Sequence, residues 1–203
     1  MSGLIVGAAS LIVMAFTPTQ VVSFQVVGEI ATKWRSLGAA TGPLGVATSD
    51  EAAAADGGRI SAFKNGFITW HPKYGAHATW GLIGAKWNAL GRDAGLGFPI
   101  TDEADAAAGG RFSEFSNNAT IDWKPSTGAH AVVGLIRARW IATGREAGVC
   151  GYPTSDEVAV TGGRRSNFEH GTISWITGTR AAVSQCTGAP SKVVTPAKAA
   201  PPK

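Results

Sequence analysis

The chain has 203 residues, of which 44% are hydrophobic and 16% charged, and it carries a formal net charge of +4 with a pI near 9.3. That balance excludes a disordered chain and leaves enough length to bury a sizeable core. Lys and Arg form no dense cluster, so the mild positive charge argues against nucleic acid and for approach to an anionic wall or membrane surface.

Leu4 to Phe16 is a nearly continuous apolar run, too short for the ~20 residues that cross a bilayer as a helix. It suits the apolar part of a secretory signal, with small residues for cleavage at Val13-Met14-Ala15, although no Lys or Arg precedes it. A buried helix or strand is the other reading, so residues 1–23 form an apolar segment that is a signal, an anchor or part of the fold. The β-branched stretch Val21 to Val27 predicts a strand leading into the next element.

From Gly28 the chain repeats itself. Gly28-Glu29-Ile30-Ala31-Thr32-Lys33-Trp34 recurs as Gly81-Leu82-Ile83-Gly84-Ala85-Lys86-Trp87 and as Gly134-Leu135-Ile136-Arg137-Ala138-Arg139-Trp140; 81 − 28 and 134 − 81 are both 53. A fixed period of that size marks a repeat architecture. Ile30, Trp34 and Leu37 are spaced i, i+4, i+7, as are Ile83, Trp87 and Leu90, which predicts a short amphipathic helix with its Trp in the core; Gly38, Gly91 and Gly144 end it. A loop follows, containing Leu44-Gly45-Val46-Ala47, Leu96-Gly97-Phe98-Pro99 or Cys150-Gly151-Tyr152-Pro153, and then Asp50-Glu51, Asp102-Glu103 or Asp156-Glu157. In each pair the Asp is expected to cap its own turn and the Glu to pair with Arg59, Arg111 or Arg164. An Ala-rich spacer and a Gly-Gly pair lead to Arg59–Phe63 and Phe67–His71, read as strands joined at Asn65-Gly66 with positive φ at both turn positions. The second hairpin, through Ser116-Asn117-Asn118, is one residue longer; the third turns at His170-Gly171. A further turn and a short strand close each copy. From Gly188 the chain is rich in Pro, Ala and Lys and reads as an extended, disordered tail.

These spaced elements together resemble the LGFP repeats of actinobacterial exported proteins, whose name is spelled by Leu96-Gly97-Phe98-Pro99. The three copies run over about 28–80, 81–133 and 134–187 within a domain of 24–187, followed by the tail at 188–203. The fold class is α+β: tandem units of about 53 residues, each a short helix, a β-hairpin and an extra strand, packed into one compact domain. The resemblance implies a secreted or wall-associated, non-catalytic module that holds proteins to wall polysaccharide such as arabinogalactan. Val46-Ala47 in the first copy departs from the pattern, as does Ile176-Thr177-Gly178-Thr179-Arg180 in the third, which lacks the Pro and His that follow the hairpin Trp in the first.

Candidate ligand-binding residues are the hairpin Trp70, Trp123 and Trp175, Arg59, Arg111 and Arg164 at the start of the same hairpins, and His77 and His130 after the following turn. An indole face stacks on the apolar face of a sugar ring, while Arg and His hydrogen-bond hydroxyls. A cross-strand core role is the competing reading for these Trp. Trp80, whose counterpart is Val133, reads as something other than scaffold. Cys150 and Cys186 are either a disulfide, as export favours, or two separate thiols. No metal-ligand spacing, phosphate loop, nucleophile motif or cofactor fingerprint is present. The expected partners are cell-wall polysaccharide and envelope-associated proteins, with no nucleic acid; a wall-polymer hydrolase and a protein–protein repeat are the alternatives, and the polymer and oligomeric state stay open.

Overall fold

The computed structural model describes residues 23–188, so the readings of a signal or anchor and of an extended tail fall outside the described residues, apart from the segment junctions at Ser23 and Gly188. The first copy comprises helix α1 (Gly28–Ser36) and strands β1 (Ala52–Ala53), β2 (Arg59–Phe63), β3 (Gly66–His71) and β4 (Gly75–Trp80). The second comprises α2 (Gly81–Ala89), a single turn α3 (Arg92–Gly95), β5 (Ala104–Asp105), β6 (Arg111–Phe115), β7 (Ala119–Lys124) and β8 (Gly128–Val133). The third has α4 (Gly134–Ala142), β9 (Val158–Val160), β10 (Gly163–Phe168), β11 (Gly171–Ile176) and β12 (Val183–Cys186). Each set of strands forms an antiparallel four-stranded sheet in sequence order, one strand more than the sequence suggests, because the Ala-rich spacer adds a short edge strand. Helix and antiparallel strand in tandem make the fold α+β.

The last long strand of one copy runs directly into the helix of the next, and this continuity sets the packing. One face of the first sheet, with Phe63, Ile68 and Ala78, packs under Ile30 and Trp34 of α1. Its other face, with Ile60 and Phe67, packs against Ile83 and Trp87 of α2, which also covers Phe115, Ile121 and Ala131 of the second sheet. A helix sandwiched between two sheets must be apolar nearly all round, and α2 is. The third sheet is covered on one face by α4; its other face carries Arg165, Asn167, Thr172 and Ser174 where the first copy holds Ile60, Ala62, Phe67 and buried Thr69, the polar outer surface that ends a repeat array.

The LGFP segment locks both a copy and its neighbour. Gly45, Gly97 and Gly151, all at φ between +72° and +82°, turn their carbonyls to accept the indole N–H of Trp34, Trp87 and Trp140 at 3.0 Å. At Gly97 a side chain would also strike the hairpin tip, 2.2 Å from Ser116 Oγ. The third motif position is an inter-repeat knob. Phe98 is 4% exposed and fills the space a Cβ at Gly58 of the preceding copy would need, while Tyr152 does the same at Gly110 and donates its hydroxyl to the Ala107 carbonyl. Among the described residues no copy precedes Val46, and this position of the first motif, 52% exposed, has no Gly-Gly turn to fill.

Three local readings are corrected by the structure. Residues 23–27 are extended but lie in no strand; Gln25 instead exchanges bonds with Asp50 and Glu51. The first hairpin turns at Lys64-Asn65, neither at positive φ, and Gly66 opens β3 because a Cβ there would lie 2.1 Å from the Thr79 carbonyl. Trp80 is scaffold after all, packing across from that glycine in the first core cluster.

The junction between the second and third sheets differs in kind. Where the first sheet has Thr69, the second has Asp122, fully buried with no hydrogen-bond partner for either carboxylate oxygen. Burial pushes its pKa well above the usual 3.8, and Glu146 and Glu114 add to the shift while Arg145 and Arg137 oppose it. With the folded pKa above the unfolded one, the stability Asp122 contributes is complete below the unfolded value and declines as pH rises through the folded one. Asp122→Asn is therefore expected to raise the urea midpoint at pH 7, by roughly 1–3 kcal/mol of stability, with the gain vanishing near pH 4. A gain that stays constant across that pH range would mean the carboxylate is not the source.

Candidate binding grooves

Strand register places the site. Arg59 lies directly across from Trp70, Arg111 from Trp123 and Arg164 from Trp175, so each pair shares one sheet face at its open end. The start of the copy's own helix closes the other side. The result is the same groove three times: Gly28, Glu29, Ile30, Glu51, Arg59 and Trp70 enclose about 240 Å³. Gly81, Leu82, Ile83, Glu103, Arg111 and Trp123 enclose about 270 Å³, and the third groove, of about 210 Å³, lies between Gly134–Ile136 and Glu157, Arg164 and Trp175.

Within each groove the guanidinium is held rigid. Arg59 Nε donates to Glu51 at 2.7 Å and Arg111 Nε to Glu103 at 2.6 Å, Arg164 pairs with Glu157, and in all three an Nη2 reaches the same Glu's backbone carbonyl. The Glu sits behind, with Glu103 only 8% exposed, while the Arg keeps a third or more of its side chain open in the first and third grooves. Burial raises the Glu103 pKa and the Arg111 pair pulls it back only in part. The Trp is half core and half surface: Trp70, Trp123 and Trp175 are partly buried, each against its own core cluster. The core reading of these residues therefore holds for one side of each ring, and the rest of the ring stays exposed. No side chain caps any of the three main helices, and the N–H groups of Leu82 and Ile83, which line the second groove, have no intrahelical acceptor. Each groove thus offers an apolar platform, fixed donors and one carboxylate already neutralised.

His77 and His130 are not part of it. His77 lies across from Thr69, on the opposite sheet face, with Nε2 2.9 Å from the Tyr74 carbonyl and Nδ1 3.3 Å from Asp102; His130 Nε2 is 2.8 Å from the Thr127 carbonyl. They belong to a clasp between copies. Asp102 accepts from the Ala78 N–H at 3.1 Å and Lys33 Nζ at 2.7 Å, and Asp156 from Ala131 and Lys86 in the same way. The Asp of each later pair thus reaches back to the preceding copy and does not cap its own turn. Burial alone would raise both carboxyls, but those hydrogen bonds and Lys charges hold them below the ordinary range. Cys150 and Cys186 are joined by a disulfide with Cα atoms 5.0 Å apart. They occupy the slots that hold Leu44 and Trp80 in the first copy's core, and the sequence signal for that was present: 133 − 80 and 186 − 133 are both 53. Sequence reasoning left out the helix start as a wall of the groove; the recurring Gly-x-Ile marks it.

The fold and the threefold groove define a tandem α+β repeat protein. Three segments, residues 44–95, 96–148 and 151–188, match the family model for the LGFP repeat. The chain belongs to the LGFP repeat family. Each of the first two matched segments opens on Leu44 or Leu96, the motif that locks neighbours, so the family's boundaries are offset from the helix-first copies. No curated protein matches the chain.

Proposed function

We propose that the chain is an exported, wall-associated and non-catalytic module that binds a neutral polysaccharide of the cell envelope, of the arabinogalactan kind that the family resemblance implies. The observation that carries this reading is the recurrence of one groove, with Trp, Arg and Glu in the same relation, on three rigidly joined units. A Trp face beside fixed N–H donors suits a sugar ring, and every groove Arg is already paired, which favours hydroxyls over anions. Each groove's Glu is tied to its Arg, and in the second and third copies the neighbouring Asp is turned into the junction, so the adjacent carboxylates do not face one another as an acid and base. The interlocked unit of helix, hairpin and return strand serves here as a spacer that holds the grooves at fixed separation.

The test is co-sedimentation of the full chain with insoluble, deproteinated arabinogalactan. Retention is expected to change little between 0.05 and about 1 M salt, where screening collapses to ~3 Å, and no soluble sugar is released. Loss of all binding at high salt would reduce the interaction to charge, and released sugar would favour the hydrolase.

A further inference from the structure

The three grooves are not equivalent in what their Trp can still do. In the first two copies the turn after the Trp is short and the ladder resumes at once, so Trp70 has Ala76 across from it and Trp123 has Ala129. In the third copy the β11–β12 ladder stops at Ser174 and Val183, leaving Trp175 without a neighbour on β12. The loop between takes that place. Its Thr179 carbonyl accepts the Trp175 indole N–H at 2.9 Å, and the Thr179 hydroxyl, bonded to the Ile176 and Ala181 carbonyls at 2.7 and 3.2 Å, holds the loop in that shape. The N–H groups of Trp70 and Trp123 have no acceptor among the described residues, and neither is a buried unpaired group, so both open to solvent.

Resting on the polysaccharide reading above, we propose that the first and second grooves are the binding pair, each recognising a sugar by stacking and by an indole N–H given to a hydroxyl or ring oxygen, while the third groove is closed to that bond by its own loop. The departure of Thr177 to Ala181 from the repeat pattern is then a switch from ligand contact to array end. It lies on the copy whose outer sheet face is already polar and whose strand β12 is pinned by the disulfide.

Trp→Phe keeps an aromatic face and removes the N–H. In the full chain, Trp70→Phe and Trp123→Phe are each expected to weaken retention on insoluble arabinogalactan about three- to tenfold, and Trp175→Phe less than about twofold. Solvent exchange of the indole N–H protons, read by NMR without ligand, should be fast at Trp70 and Trp123 and slow at Trp175. Equal losses at all three positions with wild-type retention intact, or fast exchange at Trp175, would overturn the pairing and leave the functional reading standing. No retention of the wild-type chain would instead overturn the functional reading, and the pairing with it.

Discussion

Retention on arabinogalactan is expected to vanish when Trp70 and Trp123 are both replaced by Ala, while either single replacement leaves measurable binding. Each groove is shallow and open, and a lone stacked sugar binds weakly; two grooves on one rigid body facing a repetitive polymer gain ~10²–10⁴ in avidity. Removing one Trp costs that site and the avidity together, and removing both leaves only the third groove, whose indole N–H is occupied by Thr179. The inner side of each ring packs against core residues, so the variants lose some stability as well. Thermal unfolding of each variant must therefore show a folded chain at the binding temperature. A folded double variant that sediments as wild type does would remove these Trp from the contact.

The largest effect on stability is expected at Trp87. Its ring is fully buried, 5.7 Å from Phe67 of the first sheet and 6.3 Å from Phe115 of the second, and its N–H is bonded to the Gly97 carbonyl. Trp87→Ala opens a cavity on both sides of α2, leaves that carbonyl unpaired and loosens two copies at once, at a cost of ~3–5 kcal/mol. Against a typical total of ~5–15 kcal/mol this threatens the whole array. Trp34 occupies the same motif position but is partly buried and packs on one sheet only, next to Phe63 at 5.6 Å. Trp34→Ala should cost distinctly less. Equal urea-denaturation losses at the two positions would show that sandwiching between sheets adds nothing.

The groove residues were legible only in part: an Arg and a Trp recur in every hairpin, but a turn read at Asn65-Gly66 instead of Lys64-Asn65 shifts the register by two, so the pairing of Arg59 with Trp70 came from the structure. That the Glu would take the Arg followed from charge and short separation. His77 and His130 misled because a one-residue step along a strand reverses the face, and the repeat pattern does not say which face the next helix covers. The Asp of the second and third pairs misled for a related reason, their partners Lys33 and Lys86 lying 69 and 70 residues away in the preceding copy.

The sequence by itself determined the tandem organisation, the helix with its core Trp, the α+β class and the Arg–Glu pairs, because each depends on periodicity or on residues close along the chain. Only the tertiary structure decided what the copies do to one another. It made the Phe of the motif a knob into the preceding Gly-Gly turn, turned the His and Asp into a clasp, put the helix start beside the Trp, and drew Thr179 over the N–H of Trp175. Those outcomes come from side chains of different copies competing for the same space and the same hydrogen-bond partners, and that competition exists only once the sheets are stacked.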